Sequence, residues 1–126
     1  MNGGGYRDVD MEFKPVSGPA SYGNKADGPV QYVLVANGDG VLGYLWFSDQ
    51  ADAAGWIARR SAGDIAVNAG GFWIVGLRPS KAEGLPPSQA VARMSTEDGG
   101  PVAGRIVHGS EGTVQGVDVL RQLAAN

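Results

Sequence analysis

Hydrophobic positions along this chain change their spacing from one segment to the next, and each spacing predicts a different element. Asp8-Val9-Asp10-Met11-Glu12-Phe13-Lys14 alternates polar and apolar residues, which puts Val9, Met11 and Phe13 on one face of a strand that Pro15 ends. Gln31–Ala36 and Val41–Phe47 are apolar at almost every position, the pattern of strands covered on both faces or carrying one face in an interface. Between them, Asn37-Gly38-Asp39-Gly40 tolerates positive φ, so the two runs read as a β-hairpin. Helical spacing follows. Ala53, Trp56 and Ile57, with Asp49 and Asp52 before them and Arg59 and Arg60 after them, predict a helix over Gln50–Arg60 ended by Gly63.

Asp64–Leu77 can be read two ways. Phe72-Trp73-Ile74-Val75 has strand-like composition, whereas Asn68 can cap a helix in which Ala69, Trp73 and Leu77 recur every fourth residue. Gly84 and Leu85, followed by Pro86 and Pro87, form a helix terminator and favour a helix over Asn68–Glu83, weakened near Pro79. Pro87–Met94 predicts a short helix, Ser95–Val102 a Gly-Pro loop and Gly104–His108 a short strand. A terminal helix over Val117–Ala125 carries Val117, Leu120, Leu123 and Ala124 on one side.

Strands early and helices late predict an α+β fold, a small mostly antiparallel sheet of about four strands with helices packed on one face. At 126 residues the chain suits one hydrophobic core. Residues 1–29, rich in Gly and Pro, read as a flexible arm with an edge strand at 8–14, and residues 30–126 as a single α+β domain. No internal repeat is present.

Charge narrows the function classes. Thirteen acidic residues oppose ten basic ones, for a net charge of −3, and only Arg59-Arg60 places two bases together. Nucleic-acid binding draws on clustered cations that neutralise phosphates, so DNA and RNA are not expected partners. The absence of cysteine removes thiolate catalysis, zinc–thiolate sites and iron–sulfur clusters. Neither a leader pattern nor an apolar run of roughly 20 residues is seen, which gives the expectation of a cytoplasmic protein without a membrane partner.

Four constellations could carry chemistry. Gly38, Gly40 and Gly43 spell G-x-G-x-x-G, but a dinucleotide site needs a helix N-terminus directly after the glycines, and Tyr44-Leu45-Trp46-Phe47 starts helices poorly. The hairpin is therefore preferred, and no cofactor is expected. His108, the only histidine, lies two residues from Ser110 and is the best candidate for a general base. Asp49, Asp52 and Asp64 could gather as a carboxylate cluster, although acids at a helix start are ordinary caps, so no metal is expected. Trp46, Trp56 and Trp73 most simply meet in the core.

Leu42, Tyr44 and Trp46 fall on one face of the hairpin by strand alternation and give the chain a surplus of apolar surface. The leading expectation is a non-enzymatic module that binds a protein or a small apolar ligand through Leu42, Tyr44 and Trp46, with a homodimer as one form. The competing expectation is a small hydrolase-like enzyme using His108 with nearby Ser110 or an Asp. No familiar family motif accompanies either reading.

Overall fold

Asn37–Gly40 closes a hairpin in the computed structural model, which describes residues 21–126. The Asn37 side-chain oxygen accepts the Asp39 N–H at 2.9 Å, and Gly40 takes φ +132°, so the turn uses the chemistry that its residues offer. Strand β1 (Val30–Asn37) pairs antiparallel with β2 (Gly40–Ser48), with Tyr32 opposite Trp46 and Leu34 opposite Tyr44. Near the turn the register slips: Val35 faces Gly43 and Ala36 faces Val41, leaving Leu42 as the extra residue of a β-bulge.

The segment expected to form a helix over Gln50–Arg60 instead makes a tight turn and strand β3 (Ala53–Ala58) along β2. Ala53, Trp56 and Ile57 mimic helical spacing, but their small neighbours serve a different purpose. A Cβ on Gly55 would lie 2.5 Å from Nε1 of Trp46, so this stretch is small because a β2 indole lies against it. Two short strands, β4 (Arg105–Ile106) and β5 (Gly112–Val114), pair antiparallel with the other edge of β1. The order is β3-β2-β1-β4, with β5 also on β1.

Helix α1 (Asp64–Ala82) begins at Asp64 rather than Asn68 and continues through Pro79. Helix α2 (Pro87–Met94) falls where the sequence predicts it, and a single helical turn, α3 (Gly100–Ala103), overlaps the end of the expected loop. These three cover one face of the sheet, burying Val33, Val35, Leu45 and Phe47 against Ala69, Trp73, Leu77 and Val91. Trp73 is fully buried, and its indole N–H donates to the Ala103 carbonyl at 2.7 Å. Trp56 lies beneath α1 and donates to the Ala66 carbonyl at 2.9 Å.

Helix α4 (Val117–Ala124) covers the opposite face, where Val117 and Leu120 bury Val30, Trp46 and Ala53. The α+β fold and its antiparallel sheet are as expected from the sequence, and α1 and α2 share a face as expected, joined there by the unexpected turn α3. The addition of α4 on the second face follows from β2, whose residues are apolar in both directions. It also separates the tryptophans: Trp46 lies under α4, while Trp56 and Trp73, the latter on α1 itself, lie on the other side of the sheet.

Tyr22 and Gly23 attach the start of the described chain. The Tyr22 hydroxyl donates to the Leu85 carbonyl at 2.7 Å, and Gly23 makes a parallel bridge to Ala53 at the sheet edge. Burial, reinforced by the carboxylates of Asp52 and Asp49, raises the Tyr22 phenol above its ordinary range. The strand expected at 8–14 lies outside the described residues. Among the described residues no helix is long and apolar enough to cross a membrane.

Candidate interaction face

The α4 face of the sheet is built from cross-strand rows. One row is Leu34–Tyr44–Ile57, and the next is Tyr32–Trp46–Gly55. Val30, Trp46 and Ala53 are buried under α4. An eight-residue helix is only about 12 Å long, whereas β2 with nine residues runs about 30 Å. The helix therefore covers part of the face, and Tyr32, Leu34, Tyr44 and Ile57 remain half-buried beyond it.

Tyr32 and Tyr44 stack edge to face, with ring centroids 5.7 Å apart and planes at 73°. Gly112 makes room for this pair, because a Cβ there would stand 2.5 Å from the Tyr32 ring. The four residues form an uncharged surface with two phenols held in place. Such a surface can bury an apolar side chain and donate or accept hydrogen bonds at its margin.

Of the three residues expected to share this face, Tyr44 does so and remains accessible. Trp46 points the same way but is only 3% exposed beneath α4. Leu42 sits on the other face with Val35, Leu45 and Ile106, because the bulge turns its side chain toward the α1 side. Alternation counted from Tyr44 gave Leu42 the wrong side. Tyr32, Leu34 and Ile57 belong to the face and were not singled out. Tyr32 and Leu34 alternate within β1, a legible signal, whereas Ile57 was hidden by the helical reading of its segment.

His108 and Ser110 lie in the turn between β4 and β5, and the structure gives them no shared hydrogen bond. Ser110 Oγ donates to the Val107 carbonyl at 2.6 Å and accepts the Leu34 N–H at 3.0 Å, so its hydroxyl ties the turn to β1. His108 is exposed. His108 and Ser110 are therefore not joined as a nucleophile–base pair.

The three aspartates are likewise apart in role. Asp49 accepts the Ser88 N–H at 2.7 Å and the Ser88 hydroxyl at 2.6 Å, capping α2 from a distant turn. Asp52 pairs with Lys81, and Asp64 occupies the first turn of α1. Among the described residues no group of three His, Cys, Asp or Glu side chains could hold a metal ion.

In the G-x-G-x-x-G stretch, Gly40 opens β2 and Gly43 sits inside it, where a Cβ would meet the Ile57 carbonyl and the Trp56 ring. No helix follows the glycines, so the helix N-terminus that a pyrophosphate needs is missing there.

The strongest electrostatic features lie elsewhere on the surface. The Arg93 guanidinium, hydrogen-bonded to Glu83 at 2.7 and 3.0 Å, holds that carboxyl below its usual range. The Gly100 N–H, and then Arg105, do the same for Asp98. Both pairs brace helix ends, and Asp98 and Arg105 also line a surface cleft beside the Asn37–Gly38 turn. Compared with protein-family models, curated proteins and solved structures, the chain shows no significant match, which leaves its own surface as the guide to function.

Proposed function

We propose that this protein is a non-catalytic protein-binding module that works through Tyr32, Leu34, Tyr44 and Ile57, with a second copy of the chain as its first partner. The observation that carries the reading is the mismatch between a sheet face apolar along its length and a helix that covers only part of it. A half-buried aromatic and aliphatic surface favours another apolar surface over a small ligand, which binds best in an enclosing cavity. A second copy offers the same patch about a two-fold axis, as isologous dimers do.

Sedimentation velocity tests it. The wild-type chain is expected to pass from monomer to dimer as concentration rises through the micromolar range. Tyr44→Asp and Ile57→Asp should stay monomeric with an unchanged far-ultraviolet spectrum, since both side chains are half-exposed. A wild type that remains monomeric up to millimolar concentration rules out the homodimer.

A further inference from the structure

The hairpin tip carries a reactive pair. Asn37 is followed by Gly38, and water reaches both: Gly38 is exposed and Asn37 half-buried. A backbone nitrogen that follows asparagine can attack the side-chain amide carbon, and glycine favours the attack because it has no Cβ to block the approach. The turn leaves that approach clear, since a Cβ on Gly38 would meet nothing within 4 Å. Gly40 takes φ +132°, whereas Gly38 stays outside the left-handed region. Gly40 is therefore the glycine that the turn requires, and Gly38 is one that it could exchange for alanine.

The side chain is held for the reaction. Asn37 Oδ1 accepts the Asp39 N–H at 2.9 Å, which folds the side chain back over the intervening Gly38 nitrogen. The same bond draws electron density from the amide carbon and stabilises the negative charge that gathers on Oδ1 when this carbon becomes tetrahedral.

Asn37 is also a fastener. Its Nδ2 donates to the Pro101 carbonyl at 2.9 Å and ties the hairpin to α3. That helical turn in its turn touches the core, where the Ala103 carbonyl accepts the Trp73 indole N–H at 2.7 Å. Gly104, at its end, lies so near β1 that a Cβ would run into the Ala36 carbonyl.

We infer that Asn37-Gly38 is a self-modifying site whose conversion unfastens α3 from the hairpin. The Gly38 nitrogen, deprotonated by hydroxide, bonds to Asn37 Cγ; the Cγ–Nδ2 bond breaks, and ammonia leaves with a proton taken from water. Water then opens the resulting succinimide at either carbonyl, giving aspartate or isoaspartate with no change of oxidation state. Both products lose the Nδ2 donor and bring a new carboxylate into the cleft that Pro101 and Asp98 line. Isoaspartate also lengthens the main chain inside the turn and so disturbs the pairing of residue 37 with Gly40.

Peptide mapping by mass spectrometry on the full-length chain in mildly alkaline buffer tests the site and separates Asn37 from Asn2, which glycine also follows. The Asn37 peptide should gain one mass unit and resolve into two products, faster in the folded protein than in the urea-unfolded chain. Gly38→Ala should slow the gain on the order of tenfold with an unchanged far-ultraviolet spectrum. Slower conversion when folded than in urea, or an equal rate in Gly38→Ala, overturns the site. Hydrogen exchange tests the consequence: the Ala103 and Gly104 amides, bonded to the Gly99 and Gly100 carbonyls, should exchange about fivefold faster in Asn37→Asp. Unchanged exchange there would contradict the unfastening of α3.

Discussion

Gly55→Ala gives the sharpest test of how α4 and the sheet are joined. A Cβ there would stand 2.5–2.6 Å from Nε1, Cε2 and Cζ2 of Trp46, and all three nearest atoms belong to that one ring. The ring is buried against Val117 and Leu120 and has no room to retreat. Overpacking of this kind costs about 1–3 kcal/mol. Trp46→Ala alone should cost about 3–5 kcal/mol, the usual loss for a buried indole.

The informative quantity is the double variant. With the indole gone the added methyl meets empty space, and alanine is favoured over glycine in a strand by roughly 0.5–1 kcal/mol. Gly55→Ala should thus destabilise the wild type and be neutral or stabilising in the Trp46→Ala background, a coupling of about 1–3 kcal/mol. Urea unfolding followed by circular dichroism measures it without relying on tryptophan fluorescence. In thermal unfolding, each 1 kcal/mol should move the midpoint by about 4–8 °C. An equal cost of Gly55→Ala in both backgrounds would refute the packing of Trp46 against β3.

Other consequences are nearer the surface. Asp49→Ala should destabilise the fold by about 0.5–2 kcal/mol, because α2 loses the carboxylate that holds its Ser88 N–H; Asp49→Asn, which keeps an acceptor, should lose less in the same urea titration. Glu83 and Asp98 bind protons less readily folded than unfolded, so their contribution is complete above the ordinary carboxylate range and is lost as pH falls from that range through their lower folded values. Side-chain NMR titration should find both carboxyls titrating below their usual values. Arg105→Ala should return Asp98 only part of the way, since the Gly100 N–H is its larger influence.

Much of this architecture was legible where one local signal met no competitor. Asn37–Gly40 closes the hairpin that its residues demand, and Pro87–Met94 forms its helix between a proline start and the apolar positions Ala90, Val91 and Met94. Residues 53–58 misled because helical spacing and a two-sided strand can look alike over six residues, and the deciding contact, Trp46 over Gly55, is between strands. Leu42 misled because a bulge leaves no mark in the alternation of a uniformly apolar run. Strand β5 is three residues long and gains its order from pairing with Val30, Gln31 and Tyr32. The candidate face was therefore half visible: Tyr44 and Trp46 pointed to it, but how far α4 covers it depends on helix length and placement, which no local pattern encodes.

The central claim is that the uncovered half of the α4 face is the binding surface, and methyl NMR of the wild-type chain over a concentration series tests it most directly. Leu34 and Ile57 methyl resonances should shift progressively between about 20 μM and 1 mM as copies associate, while those of Val67 and Val75 on α1 hold still. Shifts confined to the α1 methyls, or none across the series, would contradict the account.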